Sequence, residues 1–137
     1  SVYSFTAAHC ATGVFGIYAG TEAKQVPVLM PVVVDEIKKI CNEKVTEKEF
    51  NRAKMQMKAG IKMGLESSSS TAEILARQNL IYNRSLTTDE VVQKIDAVTI
   101  DDIRKTAAEI FASKPTYTLL GAINSYMEPD ELQKALS

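Results

Sequence analysis

Histidine occurs once in this 137-residue chain, at His9, and tryptophan does not occur. A single histidine excludes a zinc site built on two histidines at helical spacing, and it leaves any serine or cysteine nucleophile with one candidate base. Cysteine is almost as scarce. Cys10 and Cys41 lie far apart and make neither a disulfide framework nor a paired metal-ligand spacing, so a reducing compartment is the simpler expectation. Neither sign of charge is in excess. Sixteen basic against seventeen acidic residues give a net charge of −1, too little for a nucleic-acid or anionic-membrane footprint. Long hydrophobic runs are missing too. Residues 26–34 form the longest, broken by Pro27 and Pro31 and far short of the roughly 20 apolar residues that span a bilayer. No nucleic-acid partner and no membrane insertion are expected. Gly13 and Gly16 stand without a following Gly-Lys-Ser or Gly-Lys-Thr, so no phosphate cradle is present. No secretory segment opens the chain and no Met precedes Ser1, which leads to the expectation of a fragment lacking its N-terminal part.

What is present is a patterned, 45% apolar sequence of single-domain length, expected to form one domain over residues 1–137. Residues 2–20 are rich in Val, Tyr, Phe, Ile and Thr around the break Ala11-Thr12-Gly13, which reads as two strands and a turn. Tyr3, Phe5 and Ala7 fall on one face of the first strand, and this apolar side is expected to meet helices; Val2, Ser4 and Thr6 fall on the other. A helix with Thr21 near its N-cap and a proline-disturbed first half should follow. Thr46-Glu-Lys-Glu49 is a capping box, after which Phe50, Ala53, Met57, Ile61 and Leu65 mark one apolar face of a long helix with Met57 in the core. Ser70-Thr-Ala-Glu73, Thr87-Thr-Asp-Glu90 and Thr99-Ile-Asp-Asp102 repeat that kind of start. Thr116-Tyr-Thr-Leu-Leu-Gly121 reads as a strand and Pro129 as the first residue of a closing helix. Strands followed by a block of helices predict an α+β fold, an antiparallel sheet with a layer of helices on one face.

No constellation of catalytic residues emerges. His9-Cys10 could offer two metal ligands, but neighbours on a strand point to opposite faces. The acidic pairs sit mostly in first turns of helices, where they complement the helix dipole. The serines at 67–70 have no Gly-x-Ser-x-Gly elbow around them and read as a loop. Arg77, Gln78, Asn79, Tyr82, Asn83 and Arg84 form a polar patch at a helix end, read as capping by Asn83 and local pairing of Arg84. The expected catalytic and metal-ligand sets in this chain are therefore both empty.

Glu49-Phe-Asn-Arg-Ala-Lys54, Leu65-Glu-Ser-Ser-Ser-Ser-Thr71, Ala76-Arg-Gln78, Tyr82-Asn-Arg84 and Ile95-Asp-Ala-Val-Thr99 follow one another in an order and spacing that resembles the C-terminal domain of pitrilysin/insulinase-type peptidases. Ile110-Phe-Ala-Ser113, Gly121 and the hairpin segment Gly13-Val-Phe-Gly-Ile-Tyr18 extend the resemblance, which looks strongest toward bacterial processing proteases and the mitochondrial processing peptidase beta subunit.

The resemblance implies a zinc metalloendopeptidase of two similar halves that enclose a peptide, with an inverted His-x-x-Glu-His motif in the other half. Zinc then belongs to the intact protein and no cofactor to this piece. The implied partners are the zinc-carrying N-terminal half or a homologous subunit, an extended peptide substrate and, as an open alternative, a second copy in a homodimer. The implied place is a bacterial cytoplasm or a mitochondrial matrix. Val2, Ser4 and Thr6 are the candidate substrate-binding residues. A different class of reading remains beside this one: an inactive homologue serving as a core subunit of a respiratory complex or as a partner chain.

Overall fold

Two β-branched and aromatic runs separated by a small polar break fold as the sequence predicts. In a computed structural model that describes residues 1–136, β1 (Val2–Ala8) and β2 (Gly13–Ala19) form an antiparallel hairpin. Its register sets Val2 opposite Ala19, Ser4 opposite Ile17 and Thr6 opposite Phe15. A 3-10 turn over Ala23–Gln25 leads into α1 (Val26–Asn42), followed by α2 (Glu47–Gly64), α3 (Ser68–Tyr82), α4 (Thr88–Ala97), α5 (Ile100–Phe111) and α6 (Pro129–Leu136). One antiparallel sheet and six helices make the class α+β. The described residues divide into two compact units, one formed by Ser1–Lys44 with the chain from Ile103 onward, the other by Val45–Asp102.

In the first unit α1 packs on α6, and Val26, Val34, Ala107 and Leu132 are buried. Thr21 is not the cap of α1. The preceding 3-10 turn is capped at Glu22, and Val26 starts the α-helix behind Gln25, which makes no side-chain cap. Pro27 sits in the first turn, where its missing N–H is not needed, whereas Pro31 lies inside and leaves the Pro27 carbonyl without its helical donor. Residues 116–121 do not form a strand. Their burial alternates in strand fashion, with Pro115, Tyr117 and Leu119 half-buried and Thr116, Thr118 and Leu120 exposed. No neighbouring backbone pairs with residues 116–120 among the described residues, and a ladder needs two strands.

In the second unit α2 packs on α4 and Ile95 is buried. The capping box of α2 is complete: the Glu49 amide donates to Thr46 Oγ1 at 3.3 Å and the Thr46 amide to Glu49 Oε2 at 3.1 Å. That of α4 is also complete, with the Glu90 amide on Thr87 Oγ1 at 3.2 Å and the Thr87 amide on Glu90 Oε2 at 2.7 Å. Asp102 serves in the same role before α5, accepting the Thr99 amide at 2.8 Å. The start of α3 differs from expectation. Ser67 caps it, accepting from the Ser70 amide at 3.3 Å, so Ser70 lies in the first turn and the gap after α2 is narrower than the serine run. The tight turn at Leu65 and Glu66 places Ser67 first in line as a cap.

Removing the Thr87 hydroxyl should lower the unfolding free energy by about 1 kcal/mol, read as a lower urea midpoint for Thr87→Ala. The Thr87 amide, followed by the Arg84 side chain, holds the Glu90 carboxyl below the usual glutamate range. A lowered carboxyl contributes stability above its unfolded value and loses that contribution as pH falls through the lowered one. Carboxyl NMR of Glu90 should titrate below an ordinary glutamate, and the Thr87 amide shift should follow the same midpoint.

Candidate functional site

The hairpin presents two unlike faces. On one, Tyr3 stacks on Tyr18 at 4.9 Å between ring centroids and Phe5 lies over Gly16, where any Cβ would collide with its ring. This face stays open, with Tyr3 56% and Phe5 48% exposed. The expected meeting of this aromatic side with helices is not what the structure contains. The helix contact comes from the opposite face, where Phe15 meets Phe111 of α5 edge-on at 5.7 Å. Cross-strand stacking and the glycine seat let the aromatic rings pack on their own hairpin. Val2, Ser4 and Thr6 share the Phe15 face by register, and all three are exposed. The Ser4 and Thr6 hydroxyls make no hydrogen bond among the described residues.

The four-residue turn between the strands holds His9 and Cys10, both exposed, with the His9 amide on the Thr12 carbonyl at 2.9 Å. Cys41 is half-buried on α1, and burial pushes its thiol up from the ordinary value. Among the described residues no three His, Cys, Asp or Glu side chains gather as a metal site requires.

The polar patch after α3 is consumed locally, as its sequence suggests. Asn83 takes the left-handed conformation at φ 52° and its amide caps the Asn79 carbonyl. Asn79 donates to the Leu75 carbonyl and to Ser85 Oγ, and Gln78 accepts the Leu86 amide at 2.8 Å. Arg84 pairs with Glu90 at 2.9 Å.

Two features of the second unit escaped the sequence reading. Lys54 Nζ donates to the Asp96 and Val98 carbonyls at 2.9 and 2.7 Å, closing the C-terminal end of α4, and Lys58 reaches the Asp96 carboxylate at 2.7 Å. The inward stripe of α2 therefore runs through Phe50, Lys54, Lys58 and Ile61, all half-buried. Met57 is not core: it is 59% exposed and lines, with Ile61, Leu65, Ile74, Leu75 and Val91, a groove of about 580 Å³. Lysine stems pack as hydrocarbon while their ammoniums seek carbonyls, and that turns the helix away from the purely apolar register. The signal was a Lys pair four residues apart on a helix that faces a helix end.

Residues 1–57 match the family model described as the peptidase M16 inactive domain. Over 123 residues, 90% of the chain, it is 28% identical to an uncharacterized zinc protease of Streptomyces coelicolor and covers 27% of that protein. Mouse mitochondrial-processing peptidase subunit beta is 34% identical over 124 residues, again 90% of the chain and 25% of the relative. A zinc protease of Bacillus subtilis, also uncharacterized, is 27% identical over 120 residues, 88% of the chain and 29% of that protein. The chain is thus similar to the C-terminal domain of the M16, pitrilysin-type peptidases and spans about a quarter of the length of the curated relatives it matches.

Cutting the clamp on α4 should be felt throughout the second unit. Lys54→Met keeps the stem and removes the donors, and should cost about 1.5–3 kcal/mol by denaturant titration. Lys58→Met, which breaks one partly exposed pair, should cost under about 1 kcal/mol.

Proposed function

We propose that this chain is the substrate-enclosing, zinc-free part of a metalloendopeptidase that processes or degrades peptides, with hydrolysis performed by residues of the parent protein outside it. The observation that carries this reading is the match of residues 1–57 to an inactive M16 domain in a chain whose described residues assemble no metal ligands. Support for zinc in the intact protein comes from relatives that are themselves called zinc proteases. No step of the reaction is assigned to a residue of this chain.

Val2, Ser4 and Thr6 are the residues proposed to touch peptide. They are exposed, uncharged and on one face, and the two hydroxyls can each donate to or accept from a peptide backbone. Such contacts read length and extension more than side-chain identity. The partner in enclosure is the zinc-carrying half of the same protein or a homologous subunit, and a homodimer is a further form of that arrangement; one relative is named as a subunit, which supports it. No helix among the described residues is long and apolar enough to cross a membrane. The compartment in this reading is a bacterial cytoplasm or a mitochondrial matrix, supported by relatives that are a bacterial protease and a mitochondrial-processing peptidase.

The intact parent protein should cleave a quenched peptide in a chelator-sensitive way, while this chain alone should neither turn it over nor hold stoichiometric zinc. A parent without an upstream His-x-x-Glu-His motif and without turnover would favour the inactive structural subunit instead. A photoreactive peptide bound to the parent should label Val2, Ser4 or Thr6. Labelling confined to Tyr3 and Phe5 would remove those three from the site.

A further inference from the structure

Between α5 and α6 the chain folds back on itself around a cavity. Gly121 holds φ 140°, a setting in which any side chain is strained, and the Ile123 amide donates to the Gly121 carbonyl at 3.0 Å. This tight turn returns Tyr126 and Glu128 to the side of Tyr117. Together with Leu119, Ile123 and Pro129 they line a space of about 380 Å³, which suits a head group on an alkyl stem.

The polar atoms around this cavity share one character. The Tyr117 hydroxyl is shut off from solvent without a partner. Burial, and after it the nearby Tyr126, pushes this phenol above the ordinary tyrosine value, so it stays neutral. The Glu128 amide donates to Glu131 and its carbonyl accepts from Leu132, which fixes the residue at the head of α6. Its carboxylate has no hydrogen bond and no ion pair among the described residues. No basic side chain of the described residues lines the cavity, and the stretch from Pro115 to Met127 has no charged residue. Buried polar atoms are normally paired and a carboxylate attracts donors of positive charge, so a cationic N–H group is what these residues lack. Tyrosine rings favour the same occupant. One carboxylate with two neutral phenols is too poor a donor set for a hard metal ion, which takes about six oxygens or more.

We propose that Tyr117, Tyr126 and Glu128 form a binding site for an organic cation, the guanidinium or ammonium head of an alkyl stem that lies along Leu119, Ile123 and Pro129. Glu128 supplies the opposite charge, and the two tyrosines supply ring surface and hydroxyl acceptors. The cation is carried by a basic residue of another chain or by a free small molecule, with the same chemistry in both. The inference does not rest on the hydrolytic reading, because an inactive homologue would have the same cavity.

The intact parent protein labelled with 3-fluorotyrosine tests it, with the two resonances assigned through Tyr117→Phe and Tyr126→Phe. Butylguanidinium and the peptide acetyl-Gly-Arg-Gly-amide should shift both resonances saturably, whereas butylurea, the uncharged match, should not. Glu128→Gln, at a side chain that bonds to nothing else in the fold, should weaken the cations about tenfold. Tyr126→Leu, followed at Tyr117, should weaken them about threefold. Tighter binding of the peptide supports a basic residue as the occupant, and tighter binding of butylguanidinium supports a free small cation. Failure of both cations to move the two tyrosines would overturn the proposal, as would equal binding of butylurea or affinities that Glu128→Gln leaves unchanged.

Discussion

The ends of the helices, more than the core, decide where this chain turns. Val26, Val34, Ile95, Ala107 and Leu132 are the buried apolar residues among those described, and no side chain is less than 2% exposed. With so little fully buried surface, apolar packing alone would leave each helix free to slide by a residue or two. Side chains that bond back to their own first turn remove that freedom. Thr46 with Glu49, Thr87 with Glu90 and Thr99 with Asp102 each tie two orphan amides in a reciprocal pair, and the Glu128 amide donates to Glu131 ahead of α6. Once the starts are fixed, the facing residues of α2 and α4 are fixed as well, and Lys54 can find the carbonyls at the far end of α4.

The same constraint explains which parts of the structure were legible. A cap is written in four adjacent residues, so the starts of α2, α4 and α5, Pro129 at the head of α6 and Asn83 at the end of α3 could all be read from the chain. Ser67 was misread because two serines compete for one role, and the tight turn at Leu65 that settles the choice is not encoded in the serines. The path of residues 116–121 depends on whether another strand lies alongside, a fact that no local pattern contains. Their β-branched and aromatic content reads as a strand, yet none forms among the described residues, because pairing is a property of two segments. Met57 and the lysines of α2 belong to the same class: the inward face of a helix is chosen by what stands opposite it.

For the site, a single histidine and carboxylates placed at helix starts lead to the expectation of no metal or acid-base centre in this chain. Which face of the hairpin meets a helix was not legible, because Tyr3 and Phe5 on one side and Phe15 and Ile17 on the other are both apolar enough to be buried. The aromatic side is settled by Gly16, whose bare backbone seats the Phe5 ring and lets that face pack across its own two strands.

The motifs that link this chain to the M16 peptidases can now be given physical jobs. Glu49 closes the cap of α2 and Lys54, in the same short segment, reaches Asp96 and Val98 in the segment Ile95-Asp-Ala-Val-Thr99. Thr99 at the end of that second segment starts α5 through Asp102. Thr71 bonds back to the Leu65 carbonyl across the serine run, Gln78 secures Leu86, and Asn83 with Arg84 turns the chain from α3 toward the capping box of α4. Residues spaced along the sequence as separate signatures are thus one set of polar fasteners at helix ends, two of them bonded to each other. Helices that must begin and end at fixed residues need such fasteners whatever the domain does, and that requirement by itself accounts for the motifs.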